Sequence, residues 1–251
     1  MSARAMLVAA LLTLAAPALA ATPEGAQVTA AMRSLQEAVD HGDAAAMQRA
    51  RAAFVALAVD QPSSPAVAYG IALCCWRAEP IVLQTDREMA RKLCRDGIAA
   101  CDRAFALDPK FGDALALKGI LQGMAITFVP DARMSLAAEM SENLARATRL
   151  DPRNPRVAFL VGLTTLYRPA DVGGGAARAL PQLERAVELF AASDAPGRNG
   201  LDWGRDDALL WTGIARSRTG DWAGARESFR QALAVRPSNL WVQTNLLPEA
   251  E

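Results

Sequence analysis

One stretch of this chain, Asp206 to Asn239, constrains the fold more than any other. Its 34 residues, DDALLWTGIARSRTGDWAGARESFRQALAVRPSN, place Gly213 in a first helix-forming segment and Gly220-Asp221 at a turn. Ala225, Phe229 and Ala232 follow at helical spacing in a second segment, and Pro237 stands just past its end. Gly213 and Ala225 are small where two helices must approach closely, Phe229 fills the gap between units, and Gly220 permits a sharp reversal. Pro237 stops the second helix because it has no N–H to continue the ladder. A helical hairpin of this kind cannot bury its apolar face alone, so it predicts similar units stacked beside it.

Looser copies do precede it. RAFALDPKFGDALALKGI carries Ala104, Asp108-Pro109 and Gly119, and RATRLDPRNPRVAFLVGL carries Ala147, Asp151-Pro152 and Gly162. A weaker version, VDQPSSPAVAYGIAL, carries Pro62 and Gly70. The helix-ending prolines lie 47 residues apart from Pro62 to Pro109, 43 to Pro152 and 85 to Pro237, so only the last unit is regular. Five helical pairs are predicted, over about 25–59, 64–107, 112–150, 156–190 and 206–235. Extra residues fall between paired helices at 79–86, 129–132 and 168–175, and a polar connector, AASDAPGRNGLDWGRD, separates the last two pairs. Insertions on one face of a repeat array are common binding loops. The tail LWVQTNLLPEAE is expected to cap the final unit, whose apolar edge needs a cover.

The quoted residues of Asp206–Asn239 resemble the tetratricopeptide repeat (TPR), a 34-residue helix–turn–helix unit. The resemblance implies an all-α, right-handed TPR-like α-solenoid of about five helix–turn–helix pairs. It covers residues 21–251 as one helical repeat domain, most regular over 206–239, and implies a binding scaffold rather than a catalyst.

Residues 1–20 read as a signal peptide: Arg4 gives the positive start, Leu7 to Ala16 the short apolar run, and Ala18-Leu19-Ala20 the small-x-small cleavage pattern. No cysteine lies near that site, so a soluble, exported periplasmic protein without a lipid anchor is expected. The 251 residues hold 27 basic and 27 acidic side chains, and the balance argues against nucleic-acid binding, which needs surplus cations along the phosphates.

The single histidine, His41, sits in a Gly-Asp turn, and neither a Ser/His/Asp triad nor a histidine-rich metal site can be assembled around it. No enzyme, metal or cofactor is predicted. Cys94 and Cys101 sharing a helix would stand about 10 Å apart along its axis, too far to bond each other. A bridge from Cys74 or Cys75 to Cys94 across a hairpin centred near residue 84 is one reading, and small apolar filling of a helix interface is the other. Gly173, Gly174 and Gly175 precede a helix and form a candidate loop site for an anion, with Arg168 and Asp171 beside them and Trp203 in the connector. Asp194, Asp202, Asp206 and Asp207 match no calcium loop and read as solvated acids, or as a helix N-cap at Asp206.

If Gly213 fixes the register, the resemblance puts Leu210, Ile214, Ser217 and Arg218 on the concave face of the last pair. Arg156, Phe159, Leu163, Leu166 and Tyr167 match them in the fourth. Asp113, Ala116, Ile120, Gly123 and Met124 follow in the third, and Val67, Ile71, Cys74 and Cys75 in the second. Ile120, Met124, Phe159, Leu163, Leu166, Tyr167, Leu210 and Ile214 form the predicted groove. This face is mostly apolar, and a bare apolar groove of several hundred Å² is unusual on a soluble monomer. An amphipathic helix of a protein partner, a lipid-like or aromatic small molecule, or the chain's own N-terminal helix would cover it. The reading is a protein-interaction scaffold. The alternative is a subunit holding a hydrophobic small molecule for a solute-uptake system.

Overall fold

The computed structural model describes residues 23–193 and 200–250. The segment 1–20, expected to be a signal peptide, and Asp194 lie outside the described residues. Five helical hairpins follow one another: α1 (Pro23–Asp40) with α2 (Ala44–Asp60), α3 (Pro65–Val82) with α4 (Arg87–Leu107), and α5 (Gly112–Ala125) with α6 (Arg133–Leu150). Then come α7 (Pro155–Tyr167) with α8 (Ala176–Ala191), and α9 (Arg205–Arg218) with α10 (Trp222–Val235). No strand occurs among the described residues, and each helix packs on the next along the chain. The fold is an all-α solenoid, with the five pairs where the sequence puts them.

Local chemistry sets the boundaries. Asp43, Ser64, Asp86, Asn154 and Asp221 each accept a hydrogen bond from a first-turn N–H, at 2.9 Å for Asp43 to Ala46 and 3.2 Å for Ser64 to Val67. Each such cap contributes about 1 kcal/mol. Pro65 and Pro155 stand at first helical positions, where their missing N–H costs nothing. One loop is shorter than expected: α3 runs on through Pro80 to Val82, so only 83–86 remain of the connection at 79–86.

The repeated small residue in the first helix of each pair has one cause. A methyl group added at Gly213 would lie 2.4 Å from the Phe229 ring, at Gly162 2.9 Å from Leu183, and at Gly119 2.8 Å from Leu144. In these three pairs the second helix therefore drives a large side chain onto bare backbone. Gly70 departs from this plan, because the ring against it, at 2.2 Å, is Phe54 of the preceding pair. After α10, a wide turn at Val242–Leu246 leads to a last helical turn, Leu247–Ala250, packed on α10. Val242 and Ala250 are buried there, and the Ala250 carbonyl accepts from Arg226 at 3.0 Å, so the tail does cover the end of the array.

The two ends of the array also meet each other. Asp40, closing α1, receives Ser238 Oγ at 2.6 Å and lies 3.6 Å from Arg236, both just after α10. Gly200 of the connector packs against α1, so closely that a methyl there would be 2.6 Å from the Gly25 carbonyl. The solenoid is bent until its first and last hairpins touch.

Candidate functional site

Two chains of aromatic rings run through this ring-shaped array, and they differ in their access to water. The first is internal. The connector dips between the first helices of the pairs and carries Trp203, 3% exposed, into their midst. Its indole lies 5.7 Å from Trp76, 6.2 Å from Phe159 and 6.4 Å from Tyr69, centroid to centroid, and Tyr69 meets Phe111 at 5.0 Å. Arg77 stacks on Trp76 at 4.1 Å, with Trp203 at 5.6 Å, and is paired with Asp207. Arg156 donates to the carbonyls of Leu201 at 2.9 Å and Trp203 at 3.0 Å, which pins the connector in place. The Tyr69 hydroxyl and Trp203 Nε1 are buried without hydrogen-bond partners among the described residues, and burial pushes the Tyr69 pKa well up.

The second chain is external. Tyr167, at the end of α7, meets Trp211 of α9 edge-on at 5.5 Å, and Trp211 meets Trp241 of the tail at 6.0 Å. Tyr167 is 60% exposed and Trp241 46%. The Arg218 guanidinium stacks on Tyr167 at 5.4 Å and is exposed, and no carboxylate pairs with it among the described residues. Leu240 and Val172 are further exposed apolar side chains, next to Trp241 and in the loop after α7. The ladder joins α7, α9 and the tail, which are not consecutive in the chain, so it exists only when they are stacked.

The predicted groove does not form an open surface. Ile120, Phe159, Leu163, Leu166, Leu210 and Ile214 are buried, Met124 is half-buried, and only Tyr167 is exposed. The register brought these residues inward, but the curvature of the array and the connector covered them. The glycine triplet is not an anion cradle. The N–H groups of Gly173, Gly174 and Gly175 bond the carbonyls of Ala170, Pro169 and Thr165 at 3.2, 3.0 and 2.9 Å. Arg168 is half-buried and Asp171 exposed in that loop, while Trp203 belongs to the interior.

The connector acids are corrected too. Asp202 is exposed, but Asp206 and Asp207 are buried, and Gly204 rather than Asp206 stands at the N-cap of α9. Asp206 accepts from Arg236 at 2.7 Å. Burial, and next the Asp207 charge, lift the Asp206 carboxyl to about 6, against the pull of Arg236 and Arg77. Sequence reasoning missed Trp211 and Trp241 as site residues. Four of the five tryptophans follow residue 200, and that clustering was the available signal.

All four cysteines are buried free thiols around the α3–α4 interface, which is the packing reading rather than the bridge. Burial, and then the neighbouring Glu79 charge, push the Cys94 thiol up to about 12. His41 Nδ1 lies 2.8 Å from the Glu37 carbonyl in the α1–α2 turn, far along the chain from both aromatic sets. Among the described residues, no group of three or more His, Cys, Asp or Glu side chains is arranged to hold a metal ion, and no helix is long and apolar enough to cross a membrane.

No protein-family model matches the chain, and no curated protein does. Solved structures match its fold. The HusA haemophore from Porphyromonas gingivalis superposes with a TM-score of 0.64 and 25% identity, over 79% of this chain and 95% of that one. TTC0263, a thermophilic TPR protein of Thermus thermophilus, superposes with a TM-score of 0.58 and 16% identity, over 89% of this chain and 98% of that one. The fold is therefore TPR-like.

Proposed function

We propose that this protein is an exported, non-catalytic binding scaffold of the periplasm, and that it docks a partner polypeptide on the Tyr167–Trp211–Trp241 ladder. The observation that carries this reading is the ladder itself: three aromatic rings in contact, two of them exposed, beside an arginine that no carboxylate pairs with among the described residues. Tyr, Trp and Arg are the residue types that dominate binding energy at protein interfaces, because they bury much area at small entropic cost. Exposed rings held in line by packed helices offer that surface already organised. The partner segment that fits presents apolar or aromatic side chains, with an acidic group for Arg218.

A second reading is a small molecule built on flat apolar rings. The likeness to a haemophore favours it, and an aromatic ladder stacks such a ring as readily as a side chain.

Native mass spectrometry of protein gently purified from the cell envelope separates the two. A polypeptide in fixed stoichiometry supports the first reading, and a bound small molecule, or saturable haem uptake at one equivalent, supports the second. Tyr167→Ala with Trp241→Ala should abolish either while leaving the melting temperature close to wild type. Unchanged binding by that double variant would remove the ladder from both.

A further inference from the structure

The contact between the ends of the array is made by charged side chains in an unusual state. Asp40, Asp206 and Asp207 are 3%, 5% and 6% exposed. Two guanidiniums meet them: Arg236 bonds Asp206 and approaches Asp40 at 3.6 Å, and Arg77 pairs with Asp207. Asp40 Oδ1 is buried with no hydrogen-bond partner among the described residues. Three buried carboxylates thus share two guanidiniums, and two of the carboxylates are sequence neighbours on one helical turn. The other charges near Asp206 do not restore the balance. Arg156 on α7, Arg205 at the start of α9 and Asp202 of the connector line the same cavity of about 530 Å³. Arg156 bonds the Leu201 and Trp203 carbonyls and pairs with exposed Asp202 at 3.8 Å, while Arg205 is exposed. Ser238 adds only a neutral donor, to Asp40.

A buried cluster short of positive charge lowers its energy by taking up a proton. We propose that the clasp between the first and last hairpins is proton-operated: a proton taken up at Asp206 tightens it, so mild acid locks the ring and neutral pH loosens it. The direction follows from linkage. Asp206 holds its proton up to about 6 when the clasp is closed, against an ordinary 3.8 when the carboxyl is in water. Closing therefore raises affinity for the proton, and the proton must favour closing, between about pH 4 and 6. What the clasp controls is access to the interior: α1 packs on Gly200, and the same connector carries Leu201 and Trp203 among the inner rings.

Hydrogen-exchange mass spectrometry of the intact mature protein tests this without labels. After correction for intrinsic exchange, segments spanning 34–42 and 236–242 should be at least about tenfold better protected at pH 5.0 than at pH 7.5, a free-energy change of about 1.4 kcal/mol. Peptides inside α6, remote from the cluster, should not change. Asp206→Asn should give strong protection at both pH values. Protection that falls on acidification, or a pH dependence undiminished in Asp206→Asn, overturns the proposal. Should that variant fold poorly, infrared titration of the wild type decides: a protonated-carboxyl band appearing between pH 7 and 5 is expected, and its absence above pH 4.5 is fatal.

Discussion

The internal rings around Trp203 and the external ladder are built alike, from aromatic side chains of different elements at 5.0 to 6.5 Å spacing. The difference lies in what covers them. Trp203 is supplied by a connector that the fold itself draws inward, so its contacts are spent on stability. Tyr167 and Trp241 stay exposed, with Arg218 stacked on Tyr167, so much of their contact surface remains open. Ring spacing does not separate packing from recognition, whereas exposure does.

That contrast is open to attack. The largest effect is expected from Trp203→Ala, which empties space lined by Trp76, Phe159 and Tyr69 and should cost about 3–5 kcal/mol in denaturant unfolding. A loss under about 1 kcal/mol would mean the interior rings are not structural. Next comes Arg236→Ala, which leaves Asp40 and Asp206 buried without their cation and should cost about 3 kcal/mol near pH 7.5. The cost should shrink at pH 5, where Asp206 takes up a proton, and a pH-independent loss would show that ion pairing there is incidental. The ladder should behave in the opposite way. Tyr167→Ala and Trp241→Ala are each expected to change stability by about 0.5 kcal/mol while costing about 2 kcal/mol of binding, measurable by calorimetry against whatever partner is identified. Loss of stability comparable to Trp203→Ala would reassign the ladder to the core. Smallest of all should be the signal from the thiols. Burial holds Cys94 at about 12 and raises Cys74, Cys75 and Cys101, so a thiol reagent at pH 8 should label the native protein far more slowly than the denatured one.

The sequence was most informative where interactions are local. Caps such as Asp221, prolines such as Pro237, and the Gly213–Phe229 approach act within one hairpin, and all five pairs were legible from them. The inward direction of Leu210 and Ile214 was legible too, through their spacing from Gly213. Their burial was not, because it depends on curvature and on a connector whose polar, glycine-bearing composition gives no hint that Trp203 turns inside. Asp206 and Asp207 looked like solvated acids because their partners lie far along the chain, Arg77 130 residues before Asp207 and Arg236 30 residues after Asp206. Trp241 entered the candidate site only through its distance to Trp211, from a tail that sequence reasoning treated as a cap.

The hydrogen bond from Ser238 to Asp40 spans 198 residues, and it changes how the whole molecule should come apart. In an open array each unit touches only its neighbours, so units melt piecemeal and end units can be deleted with a proportionate loss. Here the terminal units are neighbours of each other, and removing either one strips a face from both the unit next to it and the opposite end. Unfolding should then be a single cooperative event rather than fraying from the ends, and fragments lacking the first hairpin should destabilise the last.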